Sequence, residues 1–173
     1  MAKNVIKIGL NTEDIDRAIK EVEKYKQDFL RKVDIFRKRL ADELADDAQL
    51  GFNGAIVDDL TNGSSRTPEV TVSVTDKGSV SIVIAKGEDA IWCEFGAGVY
   101  HNGSVGSSPH PRGVELGYTI GSYGKGYGKG KAWGYYEDGE LKITRGTPAA
   151  MPMYNAMKSV IAKAVTIARE VWK

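Results

Sequence analysis

The sequence predicts an α+β fold: a long N-terminal helix, an antiparallel sheet of about four or five strands, a long Gly/Lys/Tyr loop and a C-terminal amphipathic helix. Three observations predict it. Apolar residues recur at spacings of three and four between Ile15 and Leu44, alternate with polar ones between Val70 and Ile84, and return to the three-four spacing after Pro152. Helical periodicity at both ends with strand periodicity between them segregates the two structures, which argues α+β, with one or both helices laid on the sheet. At 173 residues the chain has the size of one domain and can bury a core without metal or disulfide staples.

The segment NVIKIGL (residues 4–10) is a short apolar lead that can pair as a strand elsewhere. Asn11 or Thr12 can then cap a helix whose first turn holds Glu13, Asp14 and Asp16, acids suited to the positive end of the helix dipole. Ile15, Ile19, Val22, Tyr25, Phe29, Val33, Phe36, Leu40 and Leu44 draw one apolar stripe on a helix running to about Leu50. Such a helix is roughly 55 Å long, longer than a small domain is wide. Its stripe therefore either kinks back near Asp34 onto its own core or is covered by another subunit, and Ile15, Val22, Phe29 and Phe36 are the candidate interface residues. The opposite face mixes both charges, with Asp28/Lys32 and Asp34/Lys38 at i,i+4, and reads as solvated.

Gly51, Asn53 and Gly54 end this helix, and residues 61–68 (TNGSSRTP) read as an exposed loop. Val70, Val72 and Val74, then Val80, Ile82 and Ile84, flank a turn at residues 76–79 and predict a hairpin. Residues 90–95 are expected to add a third strand, and residues 133–144, turning at Asp138 and Gly139, a further hairpin. From Pro152 or Met153 onward, Ala156, Val160, Ile161, Ala164, Ile167 and Val171 form the second amphipathic helix, with proline suited to its first turn. Between these elements, residues 102–134 have little apolar periodicity, and a compact domain seldom holds a structureless loop of that length unless it serves a function or a partner.

Lys and Arg number 24 against 23 Asp and Glu, so no global field draws the chain to DNA or to an anionic membrane. The only cysteine, Cys93, excludes an intrachain disulfide and fits a reducing site of synthesis. The N-terminus lacks the apolar core and cleavage site of a signal peptide, and no 18 apolar residues run together, which predicts a chain neither exported by a leader nor membrane-bound.

The Gly/Lys run at residues 121–132 suggests a phosphate loop but fails the test: no Gly-Lys pair is followed by Ser or Thr, and no strand leads into a helix. Tyr118, Tyr123 and Tyr127 interleaved with Lys125, Lys129 and Lys131 have the composition of a nucleic-acid contact, or of a Gly-rich loop whose tyrosines pack on a neighbouring subunit; the latter is the reading favoured here. A zinc site would need Cys93, His101 and His110 together with Glu94 or Glu115, at a spacing that matches no zinc pattern. Cys93 reads instead as a small buried hydrophobe beside Trp92 and Phe95, and the Pro109-His110-Pro111 run as a rigid extended turn. Glu94 is expected to accept N–H groups from the following Gly-rich turn, or to pair with Arg112 or Arg145, a structural role either way. No catalytic set, metal site or cofactor site is expected.

The block WCEFGAGVYHNG, with Trp92, Glu94, Phe95 and Gly96, and the block TPAAMPMYNAM, with Pro152 and Met153, resemble the tail-completion and head-tail joining family of long-tailed phages, prophages and phage-tail-like bacteriocins. That family resembles this chain in its long first helix, small sheet, Glu-Phe-Gly signature, long loop and proline-led last helix. Ala97 stands where many members have Thr, and Met153 and Asn155 where Phe and Pro are common, so the turn and the cap are expected to differ in detail. The resemblance implies no enzymatic activity. It implies a structural subunit that forms a ring, hexameric to match tail symmetry, at the head-proximal end of the tail. Its partners would be the tail tube or terminator and the head-side neck proteins, met in the bacterial host cytoplasm before the particle is complete. A tail terminator capping the tube is the alternative in the same class, and a protein contacting channel DNA through the Lys/Tyr loop the alternative outside it.

Overall fold

The computed structural model describes residues 9, 11–59, 64–96, 110–113, 115–116, 133–144 and 146–173. The fold is α+β, opening on a long helix and closing on a second, with strands and a short helix between them. The first helix, α1, spans Thr12–Gly54 without a break, about 65 Å of helix at 1.5 Å per residue. Asn11 caps it, its side-chain oxygen accepting the Asp14 N–H at 2.7 Å, and Glu13 and Asp14 occupy the first turn. Asp34, where a kink was the alternative, is instead tied within the helix to Arg37 and Lys38.

Six strands follow in three separate antiparallel pairs, so the single sheet of four or five strands is not formed among the described residues. β1 (Val57–Asp59) pairs with β2 (Ser64–Arg66), which places a strand inside the stretch expected to be loop. β3 (Thr71–Lys77) pairs with β4 (Val80–Lys86) through a two-residue turn, and Gly78 at its first position has the left-handed φ of 61° that a tight hairpin turn requires. That register sets Val72 opposite Ala85 and Val74 opposite Val83, so Ile82 and Ile84 lie on the other face, opposite Thr75 and Ser73, and stay exposed. β5 (Trp133–Glu137) and β6 (Glu140–Thr144) form the expected hairpin, with Asp138 and Gly139 both at positive φ in its turn.

Residues 90–95, expected as a third strand, are a short helix, α2 (Ala90–Phe95). Aromatic and branched residues there mimic a strand in composition, but buried Asp89 starts a helical turn, its carbonyl accepting the Cys93 N–H at 2.9 Å. The last helix, α3 (Pro152–Val171), begins on its proline as expected and runs antiparallel to α1. Pro152 lies against Gly51, Lys163 pairs with Glu43 and Asp47, Glu170 pairs with Arg39, and Trp172 packs on Phe36.

The core gathers Phe52, Ala55, Val57, Val70 and Cys93, with Val72, Ala85, Ala90, Ala150 and Met153 against it. It therefore sits at the C-terminal end of α1, where both hairpin strands, α2 and α3 converge. Gln49 fastens α1 to the hairpin edge as a backbone would: its amide donates to Val70 O at 3.0 Å and accepts the Val72 N–H at 2.8 Å. Arg37 does the same further along, bonding Asp34, Asp76 and Ser81.

Candidate functional site

The start of α3 raises a problem that its own sequence does not solve. A helix leaves its first N–H groups without intrahelical partners, and Ser, Thr, Asp or Asn usually caps them. Here the cap position is Met151, in the left-handed region at φ 55°, with no side-chain bond to offer. The acceptors come from α2. Cys93 O takes the Ala150 and Met151 N–H groups at 2.8 and 3.2 Å. The Glu94 carboxylate takes those of Met153 at 2.8 Å and Tyr154 at 3.0 Å. Residue 152 is proline and has no N–H, so two consecutive residues of α2 satisfy every backbone donor from 150 to 154.

A carboxylate at a helix N-terminus also meets the positive end of the dipole, which favours its charge where burial opposes it. Glu94 is 7% exposed and needs that compensation. Its third partner is His110, equally buried, whose Nε2 lies 3.0 Å from Glu94 Oε1. The Arg112 N–H donates to His110 Nδ1 at 3.1 Å, so Nδ1 is an acceptor and the ring proton sits on Nε2, donated to Glu94. Phe95 and Tyr154 enclose the imidazole at centroid distances of 4.5 and 5.3 Å. Both ring nitrogens are thus committed to the fold, and the arrangement works as a clasp that pins residues 110–113 to the α2–α3 junction.

Gly96 closes the unit. Its φ of 75° with ψ of 161° is a conformation open essentially to glycine alone, and a Cβ there would lie 2.9 Å from Ala149 N. Asp89, at the other end of α2, is held by a two-pronged Arg66 at 2.7 and 2.9 Å and by the Glu69 N–H at 2.9 Å. Burial works to raise the Asp89 carboxyl, but the guanidinium and the N–H outweigh it and hold it below its ordinary value. Burial, reinforced by the nearby Asp89 charge, pushes the Cys93 thiol up to about 11, so Cys93 is an inert core residue, as its sequence context suggests.

The structure thus brings Glu94, Phe95, Gly96, Pro152 and Met153 together in one junction, with Trp92 half-buried beside it. Of the expected partners of Glu94, Arg112 is corrected, since it pairs with Glu115 instead, whereas Arg145 and the turn that follows Gly96 lie outside the described residues. His110, read as part of a rigid turn, is a member of the clasp. A proline-led helix with no capping residue before it was the signal that an acceptor must come from elsewhere in the chain.

The assembly candidates divide. Ile15, Val22 and Phe29 lie exposed on α1, Val22 at 54%, although Phe29 touches the Trp172 ring at 6.3 Å, and Phe36 is half-buried against the same ring. Two further apolar strips face solvent: Met157, Ile161 and Val165 on α3, and Val80, Ile82 and Ile84 on β4. Tyr118, Tyr123, Tyr127, Lys125 and Lys129 lie outside the described residues, as does most of the segment 102–134. Among the described residues no group of three or more His, Cys, Asp or Glu side chains is placed to hold a metal ion, and no helix is long and apolar enough to cross a membrane.

No protein-family model matches the chain, and no characterised protein or solved structure is significantly similar to it.

Proposed function

We propose that this chain is a structural subunit of a phage or phage-tail-like particle, assembling as a ring of six at the head-proximal end of the tail. The observation that carries the proposal is that α1, 43 residues long, exposes apolar side chains from Ile15 to Val33. A contiguous exposed stripe of that kind marks a surface meant for another protein. Two features support the structural class. The residues that carry the family resemblance, Glu94, Phe95, Gly96 and the start of α3, are spent on internal clasping rather than on a substrate. The imidazole beside them has both nitrogens engaged. A rigid clasped body with apolar strips on α1, α3 and β4 has the parts a ring subunit needs: one face for each neighbour and one for the ring above or below.

The test is addition of the purified protein to tails assembled without it, followed by imaging of the tail ends. Added density as a ring at one end is the expected result. A protein that leaves tails unaltered but retards DNA at physiological salt would overturn the proposal in favour of a DNA-contacting role.

A further inference from the structure

We infer that residues 12–35 of α1 pair antiparallel with the same stretch of a second copy of this chain, about a two-fold axis near Lys24. Helix α3 covers α1 as far as Phe36, where Trp172 sits edge-on at 5.5 Å, and the Trp172 ring reaches on to Phe29 at 6.3 Å. Residues 12–35 make about 36 Å of helix; Ala18 within them is buried, but every side chain from Ile19 to Arg31 is exposed.

Three properties of this overhang select a second copy as its occupant. The first is the seam itself. Ile15, Ile19, Val22, Lys26, Phe29 and Val33 follow a strict four-three alternation, the repeat of a two-helix seam, broken only by Lys26. The second is symmetry. Turned antiparallel about position 24, the seam maps onto itself: Ile15 meets Val33, Ile19 meets Phe29, and Val22 meets Lys26, whose ammonium then lies beside the other copy's Glu23. The paired helix would begin where α3 ends and cover the exposed side of Trp172. The third is charge. Residues 13–23 hold five acids and two bases, while residues 24–35 hold four bases and two acids, so antiparallel pairing sets the acidic half of each overhang on the basic half of the other. Parallel pairing would set like on like.

Such a pair is isologous and therefore closed. It uses the same α1 stripe that the ring proposal is built on, so a ring of such pairs would have to close through the strips on α3 and β4, which remain open.

Sedimentation equilibrium of the full chain tests the pairing, and thiol cross-linking tests its direction. The expected species is a dimer, and Val22→Asp weakens it roughly a hundredfold, since each interface then buries two new charges. Because Val22 is exposed in the single chain, the variant keeps its helical circular dichroism. A short bismaleimide added to a mixture of Val22→Cys and Lys26→Cys chains should join unlike chains, 22 to 26. A monomer at all concentrations, a hexamer indifferent to Val22→Asp, or cross-links only between like positions would each overturn the inference.

Discussion

Replacing Glu94 by Gln changes the clasp without changing its volume, which isolates the electrostatics from packing. The side-chain oxygen can keep the Oε1 position and still accept from His110 and Tyr154. The new amide NH2 then faces the Met153 N–H, donor against donor, where a carboxylate oxygen stood at 2.8 Å. One charge-assisted bond is lost, at about 1.5–3 kcal/mol, and the other two lose the ionic share of their strength. A total near 3 kcal/mol is expected, which at an m-value of about 2 kcal/mol per molar urea lowers the unfolding midpoint by roughly 1.5 M. Equilibrium unfolding followed by tryptophan fluorescence reads this directly. The variant His110→Ala should cost less, and the double variant less than the sum, because both act on one network. A Glu94→Gln chain within about 0.5 kcal/mol of the parent, or strict additivity with His110→Ala, would refute the claim that this carboxylate caps α3.

Other outcomes follow from neighbouring residues. Asp89, whose folded carboxyl is held below its ordinary value of 3.8, contributes stability that is whole above that value and is lost as pH falls through the lower folded one. Acid titration of the fold should show that loss, and Asp89→Asn should flatten the profile there while costing stability at neutral pH. The Cys93 thiol, fully buried and raised to about 11, should resist maleimide at pH 8 and label only on unfolding; rapid labelling of the native chain would contradict its placement. Gly96→Ala should destabilise by about 2–4 kcal/mol, from positive-φ strain and the close approach to Ala149, as read from the urea midpoint. Phe52→Ala removes the largest fully buried side chain among the described residues and should cost about 3–5 kcal/mol, lowering Tm by roughly 10 °C.

Periodicity and punctuation made much of the architecture legible. The α1 stripe, the Asn11 cap, the Gly78 turn, the Asp138-Gly139 turn and the Pro152 start are local rules written in adjacent residues, and each element formed where its rule placed it. What escaped the sequence depends on distant partners. AIWCEF has strand composition, yet it is a helix because its Cys93 carbonyl and Glu94 carboxylate must both reach α3, some 60 positions later. The apolar alternation of β4 is visible, but which face turns inward is set by register, and the two-residue turn directs Val83 and Ala85 rather than Ile82 and Ile84 towards the core. Of the clasp, Glu94 was recognised as a structural acceptor while its donors were not, since nothing near it in sequence names Met153, Tyr154 or His110.

The pairing of the first helix with the last sets a clock on synthesis. Lys163 meets Glu43 across 120 positions of chain, and Arg39 waits still longer for Glu170. At about 5–20 residues per second a ribosome takes on the order of 6–24 s to cover that distance. Throughout that interval Arg39, Glu43 and Asp47 stand on α1 without the partners that α3 brings. The nascent chain therefore carries the α3-facing side of α1 unpaired for most of its synthesis.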